Sequence, residues 1–175
     1  EGTPVLLDAE GGVLRVDPPE DVLRAARGHA SRVAAEREEA RRQASARVEG
    51  IEVAANVGSL TEAQAAVANG ADGLGLVRTE LLFVDRPTVP NEEEQRAELA
   101  AILDVVGDRP VTIRTLDIGG DKLLPAFDLD PIRNGPLGSR GLRYGLEHPD
   151  LLRTQVRAIL RAAYGRTKPV SVMAP

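Results

Sequence analysis

Two arginines follow short apolar runs at equivalent points along this chain. Gly73–Val77 leads directly into Arg78, and Pro110–Ile113 leads directly into Arg114. A short apolar run is typical of a buried parallel strand, and the residue just past the carboxyl end of such a strand points into the active-site mouth of an α/β barrel. A guanidinium donates paired hydrogen bonds in one plane and stays charged at any working pH. The pattern therefore predicts a pocket for a small anion, such as a phosphate or a carboxylate.

Two further cations are candidates for the same pocket. Arg140 follows the turn sequence Gly-Pro-Leu-Gly-Ser, which lets the backbone approach a ligand closely, and Lys122 lies beside Gly119 and Gly120. The alternative is that each arginine forms an ordinary surface ion pair. A Gly-Gly-Asp-Lys string also occurs in plain turns. For Arg78 and Arg114, the position directly after a buried strand favours the binding role.

Acidic residues and histidines near these cations have more than one interpretation. Glu80, Asp117 and Asp121 are possible Mg²⁺ ligands, but carboxylates beside arginines more often orient the guanidinium. His29 lies in a charged segment and His148 precedes a proline, so solvent-exposed or capping roles are favoured over phosphoryl acceptance. The chain has no Ser-His-Asp set, zinc-ligand spacing or P-loop.

Composition excludes several classes of protein. A chain of 175 residues with 42% hydrophobic and 28% charged residues is typical of globular protein rather than disordered protein. No apolar stretch approaches the ~20 residues of a membrane span, and no leader sequence is recognisable, so a cytoplasmic location is the default prediction. The pI of 5.2 argues against nucleic acid as the main partner. Without cysteine, these residues have no thiolate metal site and no cysteine nucleophile.

The first 49 residues are predicted to form a hairpin and a long helix. Residues 3–16 have apolar segments on either side of a turn at Glu10-Gly11-Gly12, as in a β-hairpin. Asp17-Pro18-Pro19 favours the start of a helix, which is predicted to run from Glu20 to about Val48. Its middle is highly charged, with only alanine on the apolar side. This pattern favours a solvated connector helix over a coiled-coil arm, which would need large apolar residues at heptad spacing.

From Gly50 the apolar pattern alternates between strand and helix. Strands are predicted at 51–55, 73–77, 111–113 and 170–173, and helices at 61–68, from 91, from about 140 and at 149–163. A loop-rich segment covers residues 119–139. Such alternation predicts a parallel sheet with helices outside it, in a barrel or an open α/β sheet. Four strands would be half of an eight-stranded barrel.

Several motifs, in order, resemble one known family. Residues 73–83, 91–95, 113–122 and 135–143 closely resemble the phosphoenolpyruvate–protein phosphotransferase, enzyme I of the bacterial sugar phosphotransferase system. The resemblance covers residues 50–175 well and the preceding hairpin and helix more weakly. The Asp-Ile-Gly-Gly-Asp-Lys string favours enzyme I over pyruvate phosphate dikinase and phosphoenolpyruvate synthase, which share its barrel and mechanism.

The resemblance implies a fold and a domain order. It implies an α/β chain that forms the first half of a TIM (β/α)8 barrel for phosphoenolpyruvate. Residues 1–17 would be the end of a swivelling phosphohistidine domain, 18–49 a linker helix, and 50–175 the amino-terminal half of the barrel. The parent enzyme would pass the phosphoryl group to a histidine of the swivelling domain and then to the phosphocarrier HPr.

The resemblance also implies which site residues are present. Arg78, Arg114, Arg140 and Lys122 match phosphoenolpyruvate-binding positions. The acceptor histidine would precede Glu1, while the Mg²⁺-binding carboxylates and the proton-donating cysteine would follow Pro175. No catalytic residue and no metal ligand is then expected in these residues, the piece alone is expected to be inactive, and the parent is expected to be a homodimer.

Two alternatives stay open on the sequence alone. One is an enzyme I-like section of a multidomain phosphoryl-transfer protein, as occurs in the dihydroxyacetone kinase system. The other is a non-catalytic anion-binding module that kept the barrel arginines. The residues of the chain do not decide between these and enzyme I itself.

Overall fold

The chain folds into two compact units, residues 1–47 and residues 48–175. A computed structural model describes residues 2–9, 11–43, 49–119, 126–127 and 137–175. Each unit has its own secondary structure, and the candidate site lies entirely within the second.

The first unit is a hairpin and a long helix. Strands β1 (Val5–Asp8) and β2 (Val13–Val16) pair antiparallel, and the Asp8 carboxylate accepts a hydrogen bond from the Gly11 amide at 2.9 Å. Helix α1 (Glu20–Gln43) has acidic residues in its first turn and arginines in its last, as the helix dipole favours. No residue of α1 is buried. The predicted hairpin and helix start are confirmed, whereas the predicted helix end near Val48 lies outside the described residues.

The second unit contains a four-stranded parallel sheet in sequential order. Its strands are β3 (Ala54–Val57), β4 (Gly73–Arg78), β5 (Val111–Arg114) and β6 (Val170–Met173). Sequential parallel strands need a crossover between each pair, and helical segments occupy those crossovers. The predicted parallel sheet with intervening helices is confirmed.

The first strand of this sheet begins later than the sequence predicts. The apolar pattern indicates a strand at 51–55, but the ladder begins at Ala54, opposite Gly73. The backbone of Val53 is instead engaged by Asp72, whose carboxylate accepts from the Val53 amide at 2.9 Å and whose amide donates to the Val53 carbonyl at 2.8 Å. Ile51 and Val53 are exposed, so their apolar character does not mark burial in the sheet.

In the described part of the second unit, four helices accompany the sheet, and side-chain caps define the starts of two of them. The helices are α2 (Leu60–Ala68), α3 (Glu92–Val106), α4 (Leu142–Glu147) and α5 (Pro149–Ala163). The Ser59 hydroxyl accepts from the Glu62 amide at 3.2 Å, and Asn91 with Glu94 forms a capping box at the start of α3. The helix predicted from about Arg140 starts at Leu142, after Gly141.

The two faces of the sheet differ in burial. One face packs against the helices and forms the core, with Val57, Leu74, Val77, Val111 and Ile113 joined by Leu99, Ile102, Leu103 and Ile159. On the other face, the register groups Asn56 with Leu76, Arg78 with Arg114, and Arg114 with Met173. These residues are half-buried or exposed. Within the described part of the chain, only the first face is covered by helices.

Candidate anion-binding site

Arg78 and Arg114 end two neighbouring strands at the same level. They are the last residues of β4 and β5, and they are register partners in the ladder. Adjacent strands lie about 4.8 Å apart, and register partners in a parallel pair share a face. Both side chains therefore leave the carboxyl edge of the sheet on its open face. The sequence predicts each arginine one residue past its strand, while the structure makes each the final strand residue.

Two buried carboxylates hold the Arg114 guanidinium. Glu80, in the 3₁₀ turn Thr79–Leu82, accepts a hydrogen bond from Arg114 Nη2. Asp117 Oδ2 lies 3.4 Å from Arg114 Nη1. Glu80 is 5% exposed and Asp117 is 7% exposed. Since both carboxylates are engaged with a guanidinium, they act as orienting partners, as favoured from the sequence.

Asp117 also binds Arg140, in a two-pronged contact. Arg140 Nε lies 3.0 Å from Asp117 Oδ1, and Arg140 Nη2 lies 3.3 Å from Asp117 Oδ2. This fork geometry fixes the guanidinium plane as well as its position. Asp117 thus brings together two arginines that are 26 positions apart in the sequence, beside the end of β5.

Gly141 allows Arg140 to approach Asp117. Its backbone has φ of +54°, in the left-handed region that favours glycine. A Cβ placed there would lie 3.3 Å from Asp117 Oδ1 and 3.2 Å from the Pro175 carbonyl oxygen. The Gly141 amide donates to the Ile118 carbonyl at 3.3 Å, which ties this turn to the segment that follows β5.

The cluster keeps donor capacity for an anion. Arg78 is exposed and has no hydrogen bond or ion pair with any residue that the structure describes. Arg114 Nε is buried and has no hydrogen-bond partner among those residues. The three guanidiniums and the two carboxylates together carry a net positive charge. An anion at this edge would therefore meet the held guanidinium of Arg114 beside the exposed Arg78, whose N–H groups are not engaged by any described residue.

Other predicted residues lie apart from the cluster or outside the described ranges. Lys122 and Asp121 lie outside those ranges, so their roles stay predictions. His29 is exposed on α1. The His148 ring packs on the Tyr144 ring, with centroids 4.2 Å apart, and its side chain makes no cap hydrogen bond to α5. Its predicted capping role therefore does not involve the side chain.

Two residues that support the site, Thr79 and Gln155, are not predicted from the sequence. The Thr79 hydroxyl donates to the Arg114 carbonyl at 2.8 Å, and Gln155 Nε2 donates to that hydroxyl at 3.2 Å. Gln155 Oε1 accepts from the Leu116 amide at 2.7 Å. An Arg-Thr pair ends both runs, at 78–79 and 114–115, and that repeat is a signal for Thr79. No local pattern marks Gln155, which is one polar residue in an amphipathic helix.

The carboxylates at the sheet edge bear on the possible Mg²⁺ ligands. The described residues include no group of three histidine, cysteine, aspartate or glutamate side chains that could hold a metal ion. The two carboxylates at the sheet edge are instead engaged with arginines of the chain itself. Across the same part of the chain, no helix has the length and apolarity needed to cross a membrane.

A parallel α/β sheet with arginines at its carboxyl edge is suited to a ligand that carries phosphate or carboxylate groups. The sequence pattern of the family described as "PEP-utilising enzyme, PEP-binding domain" matches residues 32–175. The chain therefore belongs to the phosphoenolpyruvate-utilising enzyme family, and the resemblance found from the motifs is confirmed.

Three relatives show which kinds of protein in that family the chain is similar to. The chain is 47% identical over 169 residues to a multiphosphoryl transfer protein of Rhodobacter capsulatus, covering 94% of this chain and 20% of that protein. It is 46% identical over 166 residues to a phosphoenolpyruvate-protein phosphotransferase of Haloferax volcanii, with 93% and 28% covered. For the Priestia megaterium phosphoenolpyruvate-protein phosphotransferase, the identity is 39% over 173 residues, with 95% and 30% covered. The chain spans less than a third of each of these relatives.

Proposed function

We propose that this chain forms part of the phosphoenolpyruvate site of a phosphotransferase that transfers the phosphoryl group to an enzyme histidine and on to HPr. The observation that carries the proposal is the convergence of Arg78, Arg114 and Arg140 at one edge of the parallel sheet. Family membership and the names of the relatives support the same reaction class.

The chemistry of the cluster suits this substrate. Phosphoenolpyruvate carries a phosphate and a carboxylate, and the planar donors of arginine match both groups. During transfer, negative charge spreads over the equatorial oxygens of the phosphoryl group, so fixed cations lower the barrier. Because Glu80 and Asp117 already hold Arg114 and Arg140, little reorganisation is needed when substrate binds.

The half-barrel interpretation gains support from the open face of the sheet. Parallel sheets occur almost only with both faces covered. In this chain helices cover one face, and the other carries Arg78, Thr112 and Arg114 half-buried or exposed. In a closed (β/α)8 barrel this face would be the interior, and its carboxyl edge would be the active-site mouth. We therefore propose that the second unit is the first half of such a barrel.

We propose the remaining features of the parent enzyme on the basis of its family. We infer that α1 connects the barrel to a phosphohistidine domain, that Mg²⁺ is held by residues other than those described, and that the parent is a cytoplasmic homodimer. These residues alone are proposed to be inactive in phosphoryl transfer. Similarity to the Rhodobacter capsulatus protein favours, as a second candidate, an enzyme I-like section of a multiphosphoryl transfer protein.

Titration of the full-length protein with phosphoenolpyruvate tests the proposal. Arg114→Ala is expected to weaken binding between about tenfold and a hundredfold, as loss of a charge-assisted hydrogen bond worth about 1.5–3 kcal/mol predicts. Arg96→Ala is the matched control, because Arg96 also pairs with a carboxylate, Glu93 at 2.6 Å, but lies on α3 away from the sheet edge. Equal affinity of the Arg114 variant and the wild type, measured by calorimetry, would refute the proposal.

A second assay separates the enzyme from a binding module. We expect the wild type to release pyruvate from phosphoenolpyruvate when HPr is present. Saturable binding without pyruvate release would favour the non-catalytic anion-binding module.

A further inference from the structure

A buried polar chain links helix α5 to the ends of both arginine-bearing strands. Its members are Gln155 of α5, the Thr79 hydroxyl, the Arg114 carbonyl and the Leu116 amide. Thr79 is 0% exposed and Gln155 is 1% exposed. A hydroxyl and an amide in such surroundings are costly to bury unless they are hydrogen-bonded, and here each has directional partners.

The hydrogen bonds of Thr79 and Gln155 begin where the β4–β5 ladder ends. The last register pair of these strands is Arg78 with Arg114. Beyond it, the backbone leaves β4 in the 3₁₀ turn that begins at Thr79. The Thr79 side chain then supplies the next contact across to the Arg114 carbonyl, at 2.8 Å. This contact joins the residue after one arginine to the backbone of the other.

Gln155 fixes the segment just past Arg114. Its Oε1 atom accepts from the Leu116 amide at 2.7 Å, while its Nε2 atom donates to Thr79 at 3.2 Å. One side chain from α5 therefore holds both strand ends. The backbone around Arg114 is held on its carbonyl side by Thr79 and two residues later by Gln155. Neither residue touches the guanidinium groups in the hydrogen bonds described.

We propose that Gln155 and Thr79 are positioning residues that set the relative placement of Arg78 and Arg114 for phosphoenolpyruvate. The inference rests on the proposed function of those arginines. Its physical basis is that an anion shared by two guanidiniums is sensitive to their separation, and misplacement by 1 Å costs up to about a hundredfold in rate. Because hydrogen bonds are directional, a hydrogen-bonded amide fixes that separation more closely than an apolar side chain of equal volume does.

The test compares two buried glutamines in the full-length protein. Gln155→Met removes the link between the strand ends. Gln95→Met is the matched control, because Gln95 is 0% exposed and donates to the Pro90 carbonyl at 2.8 Å, a contact at the start of α3. Thr79→Val removes the hydroxyl at nearly constant volume, and Thr79→Ser keeps it. Calorimetry gives the Kd for phosphoenolpyruvate and the Tm of each variant.

We expect Gln155→Met and Thr79→Val to raise the Kd on the order of tenfold, because a displaced guanidinium weakens its charge-assisted hydrogen bond to the anion. Gln95→Met is expected to leave the Kd unchanged and to lower the Tm less than Gln155→Met does, because Gln95 loses one hydrogen bond and Gln155 loses two. Thr79→Ser is expected to keep a Kd close to that of the wild type. If the Gln155 variant fails to fold, the comparison of Thr79→Val with Thr79→Ser decides.

Two contrary results are distinguishable. If the wild type binds and Gln155→Met changes the Kd no more than Gln95→Met, or Thr79→Val no more than Thr79→Ser, the positioning role is refuted and the proposed function stands. If the wild type does not bind phosphoenolpyruvate, the proposed function fails and this inference fails with it.

Discussion

Asp117 is the residue that joins the cations of the candidate site. Its two oxygens contact both Arg114 and Arg140, at distances from 3.0 to 3.4 Å. Two guanidiniums this close would repel each other without the carboxylate between them. Asp117 is only 7% exposed, so water cannot easily take the place of its carboxylate between the two guanidiniums. The residue therefore links the stability of the fold to the geometry of the site.

Replacing Asp117 should destabilise the protein strongly. We expect Asp117→Ala to lower the free energy of unfolding by about 3 kcal/mol, because it removes the buried carboxylate that two half-buried guanidiniums share. Urea denaturation measures this value. Asp150→Ala is the control, since Asp150 also pairs with an arginine, Arg153 at 2.6 Å, but is highly exposed and should cost less than about 1 kcal/mol. Equal losses in the two variants would contradict the role given to Asp117.

At the scale of elements, helices α3 and α5 are joined by an ion-pair network. Glu92, in the first turn of α3, lies 2.7 Å from Arg161 and 2.8 Å from Arg157 of α5. Glu93 lies 2.6 Å from Arg96 and 3.0 Å from Arg161. Hydrogen bonding to Arg161, and then to Arg157, lowers the pKa of Glu92 below its ordinary value of 4.5. The Arg96 hydrogen bond is the main cause that lowers the pKa of Glu93.

This network predicts a pH dependence of stability. A carboxyl group whose pKa is lower in the folded than in the unfolded state stabilises the fold fully above the unfolded pKa. That contribution is lost as the pH falls through the folded pKa, below 4.5 for Glu92. The Tm difference between the wild type and Glu92→Gln should therefore be largest near neutral pH and shrink in acid. Thermal denaturation across this range measures it.

A control separates this effect from general acid denaturation. Glu52 is exposed and has no ion pair with any residue in the described ranges, so Glu52→Gln should give a small Tm difference at every pH. A Glu92→Gln difference that grew as the pH fell would contradict the assignment.

At the scale of the whole molecule, the candidate site belongs to one of the two units. Arg78, Arg114 and Arg140, with their carboxylate partners, all lie in residues 48–175, which have their own hydrophobic core. The family pattern covers residues 32–175 and so includes this unit completely. The proposed ligand contacts involve none of the residues of the hairpin or of α1.

Removal of the first unit should therefore leave substrate affinity intact. A variant of the full-length protein that starts at residue 48 is expected to bind phosphoenolpyruvate with a Kd within about twofold of the wild type, because the hydrophobic core lies in the second unit. Calorimetric titration tests this prediction. A loss of tenfold or more in a folded variant would show that the site needs the hairpin and helix. Phosphoryl transfer itself is not expected from that variant.

Much of the architecture is predictable because it depends on neighbouring residues. The hairpin and the parallel sheet follow from the alternation of apolar segments, and the start of α3 follows from the acidic residues after Asn91. The predicted start of the first parallel strand is wrong because apolar residues at 51 and 53 imitate a buried run. Only the Asp72 contacts show that Val53 precedes the ladder.

The sequence by itself determined which cations end the strands, since an arginine after a short apolar run is a local pattern. Tertiary structure alone decided how those cations are held. Asp117 meets Arg140 across 23 positions, and Gln155 meets Thr79 across 76. The physical reason is that strand formation and capping depend on interactions between near neighbours, whereas the partner of a buried polar group depends on which distant elements the packing of the core brings together.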